Sequence, residues 1–155
     1  MIKALRIDHR LMHGQVAFSW ANYLGINRII VIDDKVANDD FQKMVLNMAK
    51  PAGIKFNIFS VDSANNDIGK INQLKDNIFI IFGCTENAAR FILSNPQFSE
   101  LNLGGIAKKD GSKKYSETVY LTDSEEDDLK KIEKTGVKLY MQQLPTSTKE
   151  NLTLI

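Results

Sequence analysis

The stretches RIIVID (residues 28–33) and NIFIIFG (77–83) are apolar without the polar alternation of a half-buried strand. Strands of that kind must be covered on both faces, which is the condition of interior strands in a parallel sheet. Each is followed by a segment of helical period. NDDFQKMVLNMAK has Asn38 as an N-cap, acids in its first turn, an apolar stripe of Phe41, Met44, Val45 and Met48, and Pro51 beyond its end. TENAARFILSN opens on Thr85 as an N-cap. The same order recurs in KALRI (3–7) followed by GQVAFSWANYL, where Val16, Trp20 and Leu24 share a face and Gly25 is the stop. It recurs again in IKFNIFSV (54–61) followed by DSANNDIGKINQL, with Ile68 and Ile71 inward.

After Pro96 the character changes. ELNLGGI is a short strand running into two glycines, KKDGSKKYSETVYLT a turn and a second short strand, DSEEDDLKKIEKTG an acid-opened, lysine-closed helix, and VKLYMQQL a last strand. This order predicts an α/β fold: a mainly parallel open sheet flanked by helices on both faces, NIFIIFG central, with a short antiparallel edge or hairpin near residues 106–121. Trp20 and the methionine stripe are assigned to the core.

At 155 residues the chain supports one domain, residues 1–155, with no internal repeat or linker. Its 43% hydrophobic and 25% charged residues are those of a globular protein. No apolar run approaches the roughly 20 residues of a membrane span, and MIKALRID lacks the apolar core of a secretory signal. Cytoplasmic residence is therefore expected. A formal net charge of +1 makes no case for nucleic acid, and the one basic cluster, KKDGSKK at 108–114, reads as a solvated hairpin tip. With Cys84 alone and two histidines, neither an intramolecular disulfide nor a structural zinc site is supported.

Both histidines fall in RIDHRLMHGQV (6–16). In an open parallel sheet, sites gather beyond the carboxyl ends of the strands. Asp8 through His13 fill the first such loop, which puts His13 at or beside the N-terminus of the first helix. Unpaired N–H groups and the helix dipole favour an anion there, Arg10 adds positive charge, and the same potential favours a neutral imidazole. A neutral imidazole can attack phosphorus, and the phosphate formed would meet amides and a guanidinium already in place. The chain has no G-x-x-x-x-G-K-[ST] and no G-x-G-x-x-G after its first strand, which disfavours ordinary nucleotide enzymes.

Asp8 either holds Arg10, fixes the His13 tautomer, or is a strand-end turn residue. Gly104 and Gly105 either supply a positive-φ turn or let N–H groups approach an anion. Thr85 caps its helix and reaches the same rim. Asp33 and Asp34 lie on that rim too and read as loop or partner contacts.

RIDHRLMHGQV closely resembles the R-[IV]-D-x-R-L-[LIV]-H-G-Q-V signature of the B subunits (IIB components) of the mannose–fructose–sorbose family of the bacterial sugar phosphotransferase system. The resemblance continues through RIIVIDDKVANDDFQKMVLNMAKPAG and LNLGG and covers essentially the whole chain. It implies that His13 takes a phosphoryl group on Nδ1 from a phosphohistidine of a cognate A subunit or domain (IIA). The group then passes to a sugar arriving through the membrane C and D subunits (IIC and IID). It implies that Arg10 steadies the phosphate and that Gln15, with Gly14 and Asp8, lines the same turn. At position 9, where family members carry aspartate or other polar residues, this chain has His9, which either touches phosphate or faces solvent.

The implied protein is a cytoplasmic phosphocarrier, peripherally associated with its transporter. It needs no cofactor, nucleotide or metal, because the energy arrives with the phosphohistidine. Two other readings stand beside it: a regulatory module that senses a phosphorylated partner without passing phosphate to sugar, and a flavodoxin-shaped phosphate- or nucleotide-binding enzyme. The sugar is not written in the chain. A homo-oligomer stays open, because helix stripes that pack on the sheet could equally build a dimer. The first strand begins just after Met1, which favours a free-standing subunit.

Overall fold

The computed structural model describes residues 1–155. Its strands are β1 (Ile2–Asp8), β2 (Arg28–Ile32), β3 (Lys55–Phe59), β4 (Ile78–Phe82), β5 (Glu100–Gly105), β6 (Lys113–Lys114), β7 (Tyr120–Leu121), β8 (Lys138–Met141) and β9 (Glu150–Leu152). Between them lie helices α1 (Gly14–Leu24), α2 (Asp34–Ala37), α3 (Asp40–Ala49), α4 (Val61–Asn66), α5 (Ile68–Gln73), α6 (Thr85–Ser94) and α7 (Asp123–Glu133). No helix is long and apolar enough to cross a membrane.

A seven-stranded sheet runs β3-β2-β4-β1-β5-β8-β9, parallel except for β9, which pairs antiparallel with β8. β6 and β7 form the expected small antiparallel hairpin beside it. As the apolar runs require, β4 is buried along its whole length, and β2 along all but its first residue. Alternate side chains go to opposite faces. Ile29, Val31, Phe79 and Ile81 pack with Ala17 and Trp20 of α1, Val36 of α2 and Leu46 of α3. Ile30, Ile32, Ile80 and Phe82 pack on the other face with α4 to α7.

That division positions the site. β1 and β4 are neighbours, yet the chain leaves β1 for α1 on one face and β4 for α6 on the other. The loops therefore diverge and leave a crevice at the carboxyl edge, the usual ligand position in such sheets.

Several expectations are corrected. The helix predicted over residues 62–74 is two short helices, α4 and α5, and β9 was not foreseen. Asn38 closes α2, and the N-cap of α3 is Asp39, whose carboxylate accepts the Gln42 N–H. Thr85 is the first residue of α6, with Cys84 at the N-cap position. Trp20 is core, but the α3 stripe is not: Phe41, Met44, Val45 and Met48 are 68%, 53%, 45% and 80% exposed. Leu46, about 100° away on the helix from Val45, is the α3 residue that is buried, so α3 turns its apolar stripe outward.

Helix α7 carries a full capping box: Thr122 accepts the Glu125 N–H, and Glu125 accepts the Thr122 N–H at 3.0 Å. Thr122→Ala should cost about 1 kcal/mol, read as a lower urea midpoint with an unchanged slope.

Candidate active site

The loop after β1 begins as a tight turn in which the Leu11 N–H donates to the Asp8 carbonyl at 2.8 Å. The His9 N–H donates to the Gly105 carbonyl at 2.9 Å and ties the turn to β5. Leu11 has φ of 57°, the left-handed region, and is nevertheless buried against α1. A branched residue held there stores about 1–3 kcal/mol of strain. The loop is thus a specified conformation rather than a slack connection. Gly14, with φ of 40°, takes the second left-handed position and starts α1.

His13 is the N-cap residue of α1, extended at φ −118° and ψ 97°. Its side chain makes no capping bond and is exposed. Its carbonyl accepts the Val16 N–H at 3.1 Å, while the N–H groups of His13, Gly14 and Gln15 have no acceptor within the protein. No acid occupies the first turn. The imidazole, three unspent amides and the exposed Gln15 side chain therefore share one positive helix end.

Asp8 is 1% exposed and lies between two arginines. Its Oδ1 accepts the Arg10 backbone N–H at 3.0 Å and Arg10 Nε at 3.3 Å. Its Oδ2 accepts Arg6 Nη2 at 3.2 Å and Arg10 Nη2 at 3.5 Å. Of the roles open to Asp8, holding the arginine is the one seen. No hydrogen bond joins it to His13. Arg10 is 31% exposed, so one edge of the guanidinium faces Asp8 while part of the side chain reaches solvent.

His9 stands between two clefts. One, about 460 Å³, lies in the β1–β4 crevice and is lined in part by Leu11, Asp33, Gln42, Gly83 and Asn87. The other, about 230 Å³, opens toward the hairpin between Arg10, Gly105, Lys108 and Tyr120. Partial burial lowers the His9 pKa; Asp8 opposes the shift, and Arg10, Lys109 and His13 reinforce it. The unfolded chain therefore takes up this proton at higher pH than the folded one. Stability should be full above the ordinary histidine pKa and be lost as pH falls through it toward the folded value. Urea unfolding across that window should show the loss, and His9→Asn should flatten it.

The remaining rim residues have other work. The Thr85 hydroxyl donates to Asp128 Oδ2 at 2.8 Å, so it is buried against α7 and not turned to the site. Asp33 caps α2 by accepting the Val36 N–H at 2.8 Å. Burial acts against the charged form of Asp34, but the Val61 N–H and the Arg90 guanidinium outweigh it and hold its carboxyl below the usual range. Neither Gly104 nor Gly105 has positive φ, so the turn explanation fails for both. A Cβ on Gly104 would lie 2.0 Å from Arg6 Cζ, and one on Gly105 would lie 3.0 Å from Asp8 Oδ1. These glycines make room for the ion cluster. Arg6 itself, with its partners Asn102, Gln142 and Gln143, was not singled out from sequence. Its one local signal is its place two residues before Asp8 on the same strand face.

The chain has relatives that share this architecture. The N-acetylgalactosamine-specific phosphotransferase enzyme IIB component 1 of Escherichia coli K12 is 32% identical over 148 residues, covering 95% of this chain and 93% of the relative. Its crystal structure superposes with a TM-score of 0.92, covering 99% of this chain and 100% of the other at 31% identity. The IIBSor domain of the Klebsiella pneumoniae sorbose permease gives 0.90 at 29% identity, covering 97% and 93%. The mannose-specific EIIAB component of Escherichia coli K12 is 26% identical over 149 residues, covering 96% of this chain and 46% of that longer protein. The family model for the PTS system sorbose subfamily IIB component matches residues 2–155. With the whole β1-to-β9 frame inside that match, the chain belongs to the sorbose subfamily of phosphotransferase-system IIB components.

Proposed function

We propose that this IIB component carries a phosphoryl group on His13, accepting it from the phosphohistidine of a IIA protein and delivering it to a sugar at membrane IIC and IID subunits. The observation that carries the reading is the placement of His13: an exposed imidazole at a helix N-terminus whose first amides are unspent, in a loop that also holds Arg10. In the first step, a ring nitrogen of neutral His13, Nδ1 by family resemblance, attacks phosphorus. The P–N bond to the donor imidazole breaks, and the donor keeps that electron pair. In the second step a sugar hydroxyl attacks, its proton passing to water, and the P–N bond to His13 breaks with the electron pair returning to the ring nitrogen. The amides of Gly14 and Gln15 and the Arg10 guanidinium stabilise the equatorial oxygens in both.

The mannose-specific EIIAB relative supports a IIA partner, because its name places A and B components in one protein. Relatives named for N-acetylgalactosamine and sorbose share this fold, so the fold by itself does not select the sugar. A protein that works between such partners acts in the cytoplasm, against the membrane transporter.

The test is peptide mapping at alkaline pH after incubation with phosphoenolpyruvate, the general phosphotransferase proteins and a IIA protein. One acid-labile phosphate on the peptide containing His13 is expected. Its absence while IIA is itself charged would sink the carrier role.

A further inference from the structure

Arg6 is a buried side chain that the phosphoryl-transfer scheme does not use. It is 2% exposed and held from several directions. Nη1 donates to Asn102 Oδ1 at 2.5 Å and to the Gln142 carbonyl at 3.0 Å. Nη2 donates to the Gln143 carbonyl at 3.0 Å and to Asp8 at 3.2 Å. The guanidinium lies over Trp20, 5.4 Å from the ring centroid, and Trp20 donates to the same Gln143 carbonyl at 2.9 Å. Gly104 completes the seat, since any Cβ there would overlap Cζ, Nη2 and Nη1 of Arg6 at 2.0 to 2.4 Å.

A cation so enclosed does not reach a phosphate at the exposed end of α1. What it does reach is Asp8. With Arg6 on Oδ2 and the Arg10 backbone N–H on Oδ1, the carboxylate is fixed from both ends, and its remaining capacity is aimed at the Arg10 side chain. A flexible arginine otherwise gives up rotamer entropy when it clamps an anion. Holding it beforehand removes much of that cost from the transfer step.

We propose that Arg6 is a positioning residue for phosphoryl transfer: it fixes the Asp8 carboxylate and through it holds the Arg10 guanidinium over the loop that carries His13, without touching phosphate. This rests on the carrier reading, so the experiment has one arm that needs no transfer. In that arm the Arg10 Nε–H is followed by NMR in the unphosphorylated protein, wild type against Gly104→Ala and Arg6→Gln. Gly104→Ala displaces Arg6 while keeping every charge, and Asn102→Ala, which removes one of the two acceptors of Nη1, replaces any variant that does not fold. Arg10 should be ordered in the wild type and mobile in the variants, with β4 amides still protected. An equally ordered Arg10 overturns the proposal.

In the second arm, transfer from charged IIA to His13 should slow about tenfold in each variant, and less than twofold when Arg10 is already alanine, as coupled sites require. Equal slowing in both backgrounds would make Arg6 merely structural. Failure of wild-type labelling would instead count against the carrier reading, and the Arg10 order would still decide whether Arg6 holds it.

Discussion

His13→Gln should accept no phosphate from a charged IIA protein, with labelling at background, whereas His9→Gln should still be labelled. The two histidines are four residues apart and of one type, so the contrast tests position rather than chemistry. His13 is the exposed residue at the helix end, where the Gly14 and Gln15 amides have no acceptor within the protein. His9 is bound through its backbone to β5, and its ring lies toward Gly105, where an added Cβ would be 3.5 Å from Cδ2. Glutamine retains hydrogen-bonding capacity near the imidazole position but has no nucleophilic nitrogen, so folding should survive and transfer should not. Intact-mass measurement at alkaline pH reads both variants, and circular dichroism confirms the fold. Equal labelling of wild type and His13→Gln would move the phosphate elsewhere and overturn the assignment to His13.

Asp8→Asn is the change expected to cost most in stability, about 3–5 kcal/mol. It retains the shape of the side chain but leaves the buried Arg6 guanidinium without its counter-charge. The remaining partners of Arg6 are an amide oxygen, two carbonyls and an indole face, none of which carries a formal charge. A loss of that size is about a fifth or more of the stability of an ordinary domain and should appear as a large fall in the urea midpoint. The paired replacement Arg6→Met with Asp8→Leu, which removes both charges, should recover much of the stability, because desolvating an ion pair opposes its own attraction. Transfer should not recover, since Arg10 then has nothing to hold it. An Asp8→Asn protein with a wild-type midpoint would show that the cluster contributes nothing to folding.

The strands and the loop after β1 were legible in the sequence because their causes are short-range. RIIVID and NIFIIFG are apolar on both strand faces, and that pattern has one comfortable place, the middle of a covered parallel sheet. RIDHRLMHGQV joins a strand end to a helix start within one contiguous segment, so a place for His13 at or beside the helix N-terminus followed from spacing, and the structure puts it at the N-cap. The direction of α3 was not legible. Periodicity states that a helix has an apolar stripe but not which way it faces, and here Leu46 on another side makes the contact while the stripe is exposed.

By itself, then, the sequence determined the alternating α/β order and the chemistry gathered in the first loop. Only the tertiary structure decided how that loop is held. β5 lies beside β1 because the chain crosses over β1 on its way from β4, and this brings Asn102 and Gly104 under Arg6. The loop after β8 then supplies carbonyls 136 and 137 residues away from that arginine. Side-chain periodicity acts over a few residues, whereas neighbours across a sheet are set by strand order, which no local pattern encodes.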